Sequence, residues 1–205
     1  MTSDEFFAER LASVPLIAIF RAMARDRTLE LCQQVWAVGV PLVEVPIQGA
    51  EAVETFRAVV AAGHAAGHPV GAGTVLTPDQ IDLVVEAGGD YAVAPGFDPE
   101  VIARADAAGL PFLPGVATPS EVNAALRLGH AWTKAFPAAQ LGQGWAKALK
   151  GPFPAARFVA VGGVSADNAA SFLRGGYDAI GVGSAFADPA QTAALMAALG
   201  RSQGG

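Results

Sequence analysis

The chain has 205 residues, 52% of them apolar and 16% charged, and its mean hydropathy is positive. That suffices for one domain with a large core, and a formal net charge of -6 with no lysine–arginine cluster argues against nucleic acid or an anionic membrane as partner. The single cysteine, Cys32, excludes an internal disulfide, the amino-terminal MTSDEFFAER is acidic where a secretion signal is basic, and no apolar run reaches bilayer length, so a cytoplasmic location is expected.

In chain order, a short helix is predicted over 3–13 and the first strand from about 15. Apolar segments then recur: LIAIF at 16, LVEVP at 42, PVGAGT at 69, YAVAP at 91, PFLPG at 111, AWTKAF at 131, RFVAVGG at 157 and DAIGVGS at 178. Each is apolar along its length, as strands of a parallel sheet covered on both faces are. Their starts lie about 20 to 28 residues apart, the length of one strand, one turn and one helix. Eight such units predict a single (β/α)8 TIM barrel over 1–205.

The intervening helices carry their own punctuation. In TLELCQQVWAVG (28–39), Leu29, Leu31, Cys32 and Trp36 share a broad apolar face, which makes Cys32 a core filler. TPDQIDLVVEAGG (77–89) opens with Thr77 as N-cap, Pro78 at the first helical position and Gln80 at the capping-box position. TPSEVNAALRLGH (118–130) repeats that grammar with Thr118, Pro119 and Glu121, and SADNAASFLRGGYD (165–178) has Ser165 as cap and a Gly175–Gly176 stop. His64, His68 and His130 fall in helix-to-strand connections, at the end away from the active face, and are expected to be solvated.

Active sites of this architecture form at the C-terminal ends of the strands. Polar residues ending apolar strands therefore converge there: Arg21, Glu44, Gln48, Thr74, Thr118, Lys134 and the glycine-rich ends at 162 and 183. Lys134, inside an apolar strand, reads as a nucleophile, with a snorkelling or purely ion-paired lysine as the bland alternative. A lysine ammonium has a pKa of about 10.4, and desolvation with a nearby cation such as Arg21 frees the amine for addition to a ketone. Glu44, between Val43 and Val45, reads as the general acid/base beside it, with simple charge neutralisation of Arg21 or Lys134 as the bland alternative. AVGGVS (160–165) and GVGSAF (181–186) end strands seven and eight, where barrels hold phosphate on backbone N–H groups. Gly162, Gly163 and Gly183 then allow close approach of the anion, and Ser184 adds a hydroxyl. Gly71 and Gly73 are expected to give close backbone approach at a strand end, with Thr74 offering a hydroxyl to a carboxylate or carbonyl, although by itself Thr74 reads first as a capping or turn residue. No spacing of His, Cys or carboxylates suggests a metal.

With EVP at Glu44, GAGTV at 71, APG at 94, PGVATPSE at 114, KAFPA at 134, KALKGPFP at 147 and VGGV at 161, the chain resembles the class I 2-keto-3-deoxy-6-phosphogluconate aldolase family, including its 2-dehydro-3-deoxy-6-phosphogalactonate branch. The resemblance implies a Schiff-base lysine at Lys134, a proton-shuttling Glu44, and Arg21 and Thr74 on the pyruvate carboxylate. It further implies that Pro95 and Phe136 shape the pyruvate pocket, and that Gly162, Gly163, Gly183 and Ser184 take the 6-phosphate. No cofactor is implied; the partners are the phosphorylated sugar acid, pyruvate and glyceraldehyde 3-phosphate, and the assembly is a homotrimer. Val161, where gluconate enzymes often have threonine, and Gln48, where many have arginine, lean toward the galactonate epimer. The gluconate epimer, 4-hydroxy-2-oxoglutarate, and a thiamine-phosphate-synthase-like or non-catalytic phosphate-binding barrel are the alternatives.

Overall fold

The computed structural model describes residues 1–202; the last three residues of the expected domain lie outside it. After α1 (Ser3–Arg10), the strands are β1 (Leu16–Ile19), β2 (Leu42–Pro46), β3 (Val70–Gly73), β4 (Tyr91–Val93), β5 in two segments (Phe112–Leu113 and Gly115–Val116), β6 (Trp132–Ala135), β7 (Arg157–Val161) and β8 (Ala179–Val182). All neighbours pair in parallel, β8 pairs β1, and the two segments of β5 pair β4 and β6 respectively. The expected (β/α)8 barrel is therefore present as one domain. Its fifth strand is broken at Pro114, which has no N–H for the ladder; its carbonyl still accepts from the Lys134 N–H at 2.8 Å.

The helices after the strands are α2 (Arg25–Ala37), α3 (Ala50–Ala66), α4 (Pro78–Glu86), α5 (Pro99–Ala108), α6 (Pro119–Arg127), α7 (Ala138–Leu141), α8 (Trp145–Lys150), α9 (Ala169–Arg174) and α10 (Pro189–Ser202), with a 3-10 turn at Ser184–Ala187. Cys32 is fully buried on α2 among Leu31, Val35 and Trp36, as its pattern predicts. α6 has the expected capping box, Thr118 with Glu121. Two caps differ. Thr77 makes no side-chain cap, and Gln80 Oε1 instead accepts from the Leu76 N–H at 2.6 Å. The helix expected from Ser165 starts only at Ala169. Asn168 bends the intervening turn, its Oδ1 accepting from the Ser165 N–H and its Nδ2 donating to Gly163 O.

α1 closes the bottom of the barrel. It ends at Arg10, short of the expected residue 13, with Leu11 as C-cap. Phe6, Phe7 and Leu11 pack into the barrel interior against Ile17, Leu42, Tyr91, Trp132 and Val159. Asp4 accepts from the N–H groups of Ala131 and Trp132 at 2.9–3.0 Å, and Ser3 Oγ accepts from Phe112 N–H at 3.0 Å. Burying the start of β5 and β6 in this way leaves their first donors satisfied, which an apolar plug alone cannot do. His130, expected in solvent, is 2% exposed here: Nδ1 lies 3.3 Å from Phe112 O and Nε2 3.2 Å from Asp106 Oδ1. His68 stacks on Trp36, centroids 5.2 Å apart, and of the three histidines only His64 keeps an exposed ring, paired with Asp90.

Candidate active site

Side chains alternate along a strand, so Leu42 and Glu44 of β2, and Trp132 and Lys134 of β6, face the barrel interior. The lower member of each pair joins the apolar cluster over α1; the upper member carries charge. Glu44 and Lys134 are each 1% exposed. Both border one cavity of about 280 Å³ at the C-terminal end of the barrel, with Ile19, Arg21, Phe136, Val161, Gly162, Gly163, Val164, Gly181, Gly183 and Ser184. A wider groove of about 1080 Å³ between α2 and α3 shares none of these lining residues. Because the two buried charges share the smaller cavity, the chemistry belongs there.

Among the described residues, neither carboxylate oxygen of Glu44 has a hydrogen-bond partner. Burial pushes its proton affinity above the ordinary carboxylate value, and the charges of Lys134 and then Arg21 pull the other way without cancelling that effect. A carboxylate so held accepts a proton readily from a bound hydroxyl and has a free oxygen with which to do it. The Lys134 ammonium nitrogen lies 5.1 Å from the centroid of the Phe136 ring, which walls it on one side.

Room for the carboxylate comes from β3. A Cβ on Gly73 would lie 2.1 Å from Glu44 Oε1, and one on Gly71 would lie 2.3 Å from the Tyr91 ring. These glycines therefore give the close approach to backbone expected of them, and what approaches is a neighbouring side chain.

Arg21 follows β1 and is held by two neighbours: Nη1 donates to Gln48 Oε1 at 2.6 Å and Nη2 to Thr74 Oγ1 at 3.1 Å. Thr74 adopts φ +59°, a strained setting for a β-branched residue that aims its hydroxyl at Arg21. Gly162 (φ +93°) and Gly163 (φ +76°) form the turn after β7. Their carbonyls accept from Ala139 N–H and Asn168 Nδ2, so their N–H groups are what the turn can offer an anion.

Of the residues singled out in the sequence, the cavity brings together Arg21, Glu44, Lys134, Phe136, Val161, Gly162, Gly163, Gly183 and Ser184. Thr74 and Gln48 reach it through Arg21. Pro95 does not line it: it is half-buried at the end of β4 with its backbone against Gly115. Thr118 serves only as the α6 cap. Sequence reasoning missed Ile19, Val164 and Gly181, although the alternation Ile17–Ile19 marks the first as inward-facing. A side chain at 181 would collide with Val161 and Ile19.

Residues 7–196 match the family model described as KDPG and KHG aldolase. Among curated proteins, the chain is 37% identical over 172 residues to the 2-dehydro-3-deoxy-6-phosphogalactonate aldolase of Escherichia coli (strain K12), covering 83% of each. It is 38% identical over 173 residues to the 2-dehydro-3-deoxy-phosphogluconate aldolase of Treponema pallidum (strain Nichols), covering 77% of this chain and 80% of that one. Among solved structures, one named native KDPGal superposes with a TM-score of 0.86 at 32% identity, over 94% of this chain and 97% of that chain. The matched span contains the whole barrel and each cavity residue, and on these grounds the chain belongs to the KDPG and KHG aldolase family.

Proposed function

We propose that the chain is a Schiff-base aldolase that cleaves 2-dehydro-3-deoxy-6-phosphogalactonate to pyruvate and D-glyceraldehyde 3-phosphate. The observation that carries this reading is a fully buried lysine sharing one small cavity with an unpartnered, fully buried glutamate. Lys134 adds to the C2 ketone and, with loss of water, forms an iminium. Glu44 takes the C4 hydroxyl proton, the C3–C4 bond breaks, and its electrons pass to the iminium nitrogen to give an enamine and the free aldehyde. Glu44 returns the proton to C3, and hydrolysis releases pyruvate and the lysine. The iminium is the electron sink, so the steps need no metal or organic cofactor.

Arg21, held by Gln48 and Thr74, takes the pyruvate carboxylate, and Phe136 covers the three-carbon end. The turn Gly162–Gly163 with Gly183 and Ser184 takes the 6-phosphate on backbone N–H groups and a hydroxyl. The galactonate epimer is favoured because Val161 leaves the cavity wall apolar where a threonine hydroxyl reads the other epimer, and because Gln48 replaces a second arginine. Overall identity does not decide between them, since relatives named for either substrate are equally similar. The reading includes a homotrimer, supported by the family resemblance, and a cytoplasmic location, with which the single free cysteine, Cys32, is consistent.

The test is borohydride reduction in the presence of pyruvate with mass mapping, together with cleavage assays on both epimers. A pyruvyl adduct on Lys134, loss of both adduct and turnover in folded Lys134→Ala, and higher kcat/KM on the galactonate epimer are expected. Substantial turnover in Lys134→Ala would overturn the mechanism, and a preference for the gluconate epimer would overturn the substrate.

A further inference from the structure

The two inward-facing positions of β3 are both glycine, and neighbouring strands fill the space each leaves. Glu44 fills the upper one at Gly73, and the Tyr91 ring fills the lower one at Gly71, where a Cβ would lie 2.3 Å from Cε2 and Cζ and 2.5 Å from Cδ2. Successive inward positions on a strand are about 6.6 Å apart, so the ring forms the layer directly beneath the carboxylate. Tyr91 comes from β4, passes across β3 at Gly71, and its hydroxyl donates to Val43 O on β2 at 2.8 Å. Val43 is the residue before Glu44. From below, the ring is packed by Phe6 and Phe7 of α1, centroids 5.5 and 5.7 Å away, and it is fully buried.

We propose that Tyr91 is a positioning residue for Glu44: its ring is the dry floor of the chamber in which the carboxylate moves, and its hydroxyl fixes the strand from which Glu44 projects. The inference rests on the reading of Glu44 as proton shuttle. No described residue hydrogen-bonds the Glu44 carboxylate to set its place, so its position and hydration are decided by the surfaces around it. Toward the mouth those surfaces are the cavity with Lys134 and Arg21. Toward the floor the surface is the Tyr91 ring, and any gap there admits water to a group that burial keeps protonatable. The titratable groups acting on Glu44 are Lys134 and Arg21, which favour its ionised form; Tyr91 is in turn acted on by Glu44, Asp90 and Cys32, each of which disfavours its ionisation. A buried tyrosine hydroxyl is costly without a partner, and its partner here is the Val43 carbonyl, one residue before Glu44.

The experiment follows deuterium exchange of the pyruvate methyl group by NMR as a function of pH in the full chain and in Tyr91→Leu, Tyr91→Phe and Glu44→Gln. In Tyr91→Leu the acid limb of the exchange profile moves to lower pH and the plateau rate falls about tenfold, while borohydride trapping of pyruvate on Lys134 is unchanged. In Tyr91→Phe the ring remains, so the limb stays in place and the plateau falls about two- to threefold. A Tyr91→Leu profile superimposable on wild type, or a loss of Lys134 trapping in proportion to the loss of exchange, overturns the proposal. Should leucine prevent folding, Tyr91→Met, whose unbranched side chain adapts better to an irregular gap, enters the same comparison with the same criteria. Glu44→Gln separates the two ideas. If it exchanges like wild type, the Glu44 reading fails; if it abolishes exchange while Tyr91→Leu leaves the limb unmoved, only the role of Tyr91 fails.

Discussion

Gly73→Ala displaces the Glu44 carboxylate without touching substrate or lysine. Its Cβ would lie 2.1 Å from Oε1 and 2.8 Å from Cδ and Cγ, whereas ordinary contact begins at 3.4 Å, so the carboxylate tip must withdraw by about 1.3 Å (3.4 - 2.1). Glu44 is a flexible side chain beside an open cavity, so it can make that movement at little cost to folding. The lower backbone entropy of alanine in the unfolded chain offsets part of that cost, and stability is expected to stay within about 1 kcal/mol of wild type, or about 2–4 °C in melting temperature. Activity is a different matter, because a misplacement of about 1 Å at a catalytic group is worth about 100-fold in rate. The expected result in a coupled pyruvate-release assay is a fall in kcat of about 100-fold, with trapping of pyruvate on Lys134 retained. Gly71→Ala should do the opposite. There the added Cβ meets a fully buried ring wedged between β2 and α1, which cannot yield, and overpacking of this kind costs about 1–3 kcal/mol. A kcat for Gly73→Ala within threefold of wild type, or the same stability loss in both variants, would refute the reasoning.

Two further outcomes concern stability. Burial raises the Glu44 proton affinity in the folded chain, so between the ordinary and the raised pKa the folded state holds a proton that the unfolded state has released, and stability falls as pH rises through that window. Glu44→Gln removes this slope: by calorimetry it should melt above wild type at pH values past the window and together with it below, and a lower melting temperature at neutral pH would count against the burial argument. Asp4→Ala strips the acceptor from the N–H groups of Ala131 and Trp132 at the start of β6; a loss of about 2 kcal/mol, or about 4–8 °C, is expected by thermal melting, and a shift under about 1 °C would mean that α1 does not clamp the barrel floor.

The strands were legible because parallel strands covered on both faces are apolar along their whole length, and Lys134 and Glu44 stood out because each interrupts such a run. The break at Pro114 was equally visible in PFLPG, yet periodicity counts segments and does not say that one strand divides its hydrogen bonds between two neighbours. His130 defeated the reading because its position in a helix-to-strand connection implies solvent, while Asp106 and Phe112, from other parts of the chain, enclose it. The same reason explains Gly71 and Gly73. What fills their space comes from Tyr91, 20 residues on, and from Glu44, on the preceding strand, and local spacing carries no trace of either.

The pairing of a glycine-stripped strand with intruding side chains also explains how so small a barrel holds buried charge. Its interior is layered along the axis: α1 with Phe6 and Phe7, then Tyr91, Trp132, Leu42 and Ile17, and only then the level of Glu44 and Lys134. Water is excluded from below by two apolar layers, so the charges meet solvent only through the cavity that also holds Arg21 and the Gly162–Gly163 turn. A carboxylate hydrogen-bonded to fixed partners at that level would be held ionised and still. Glu44 is instead desolvated, without a hydrogen-bond partner among the described residues and given free volume by Gly73, and a group in that state suits the proposed task of taking a proton from the C4 hydroxyl of a substrate and delivering it to C3.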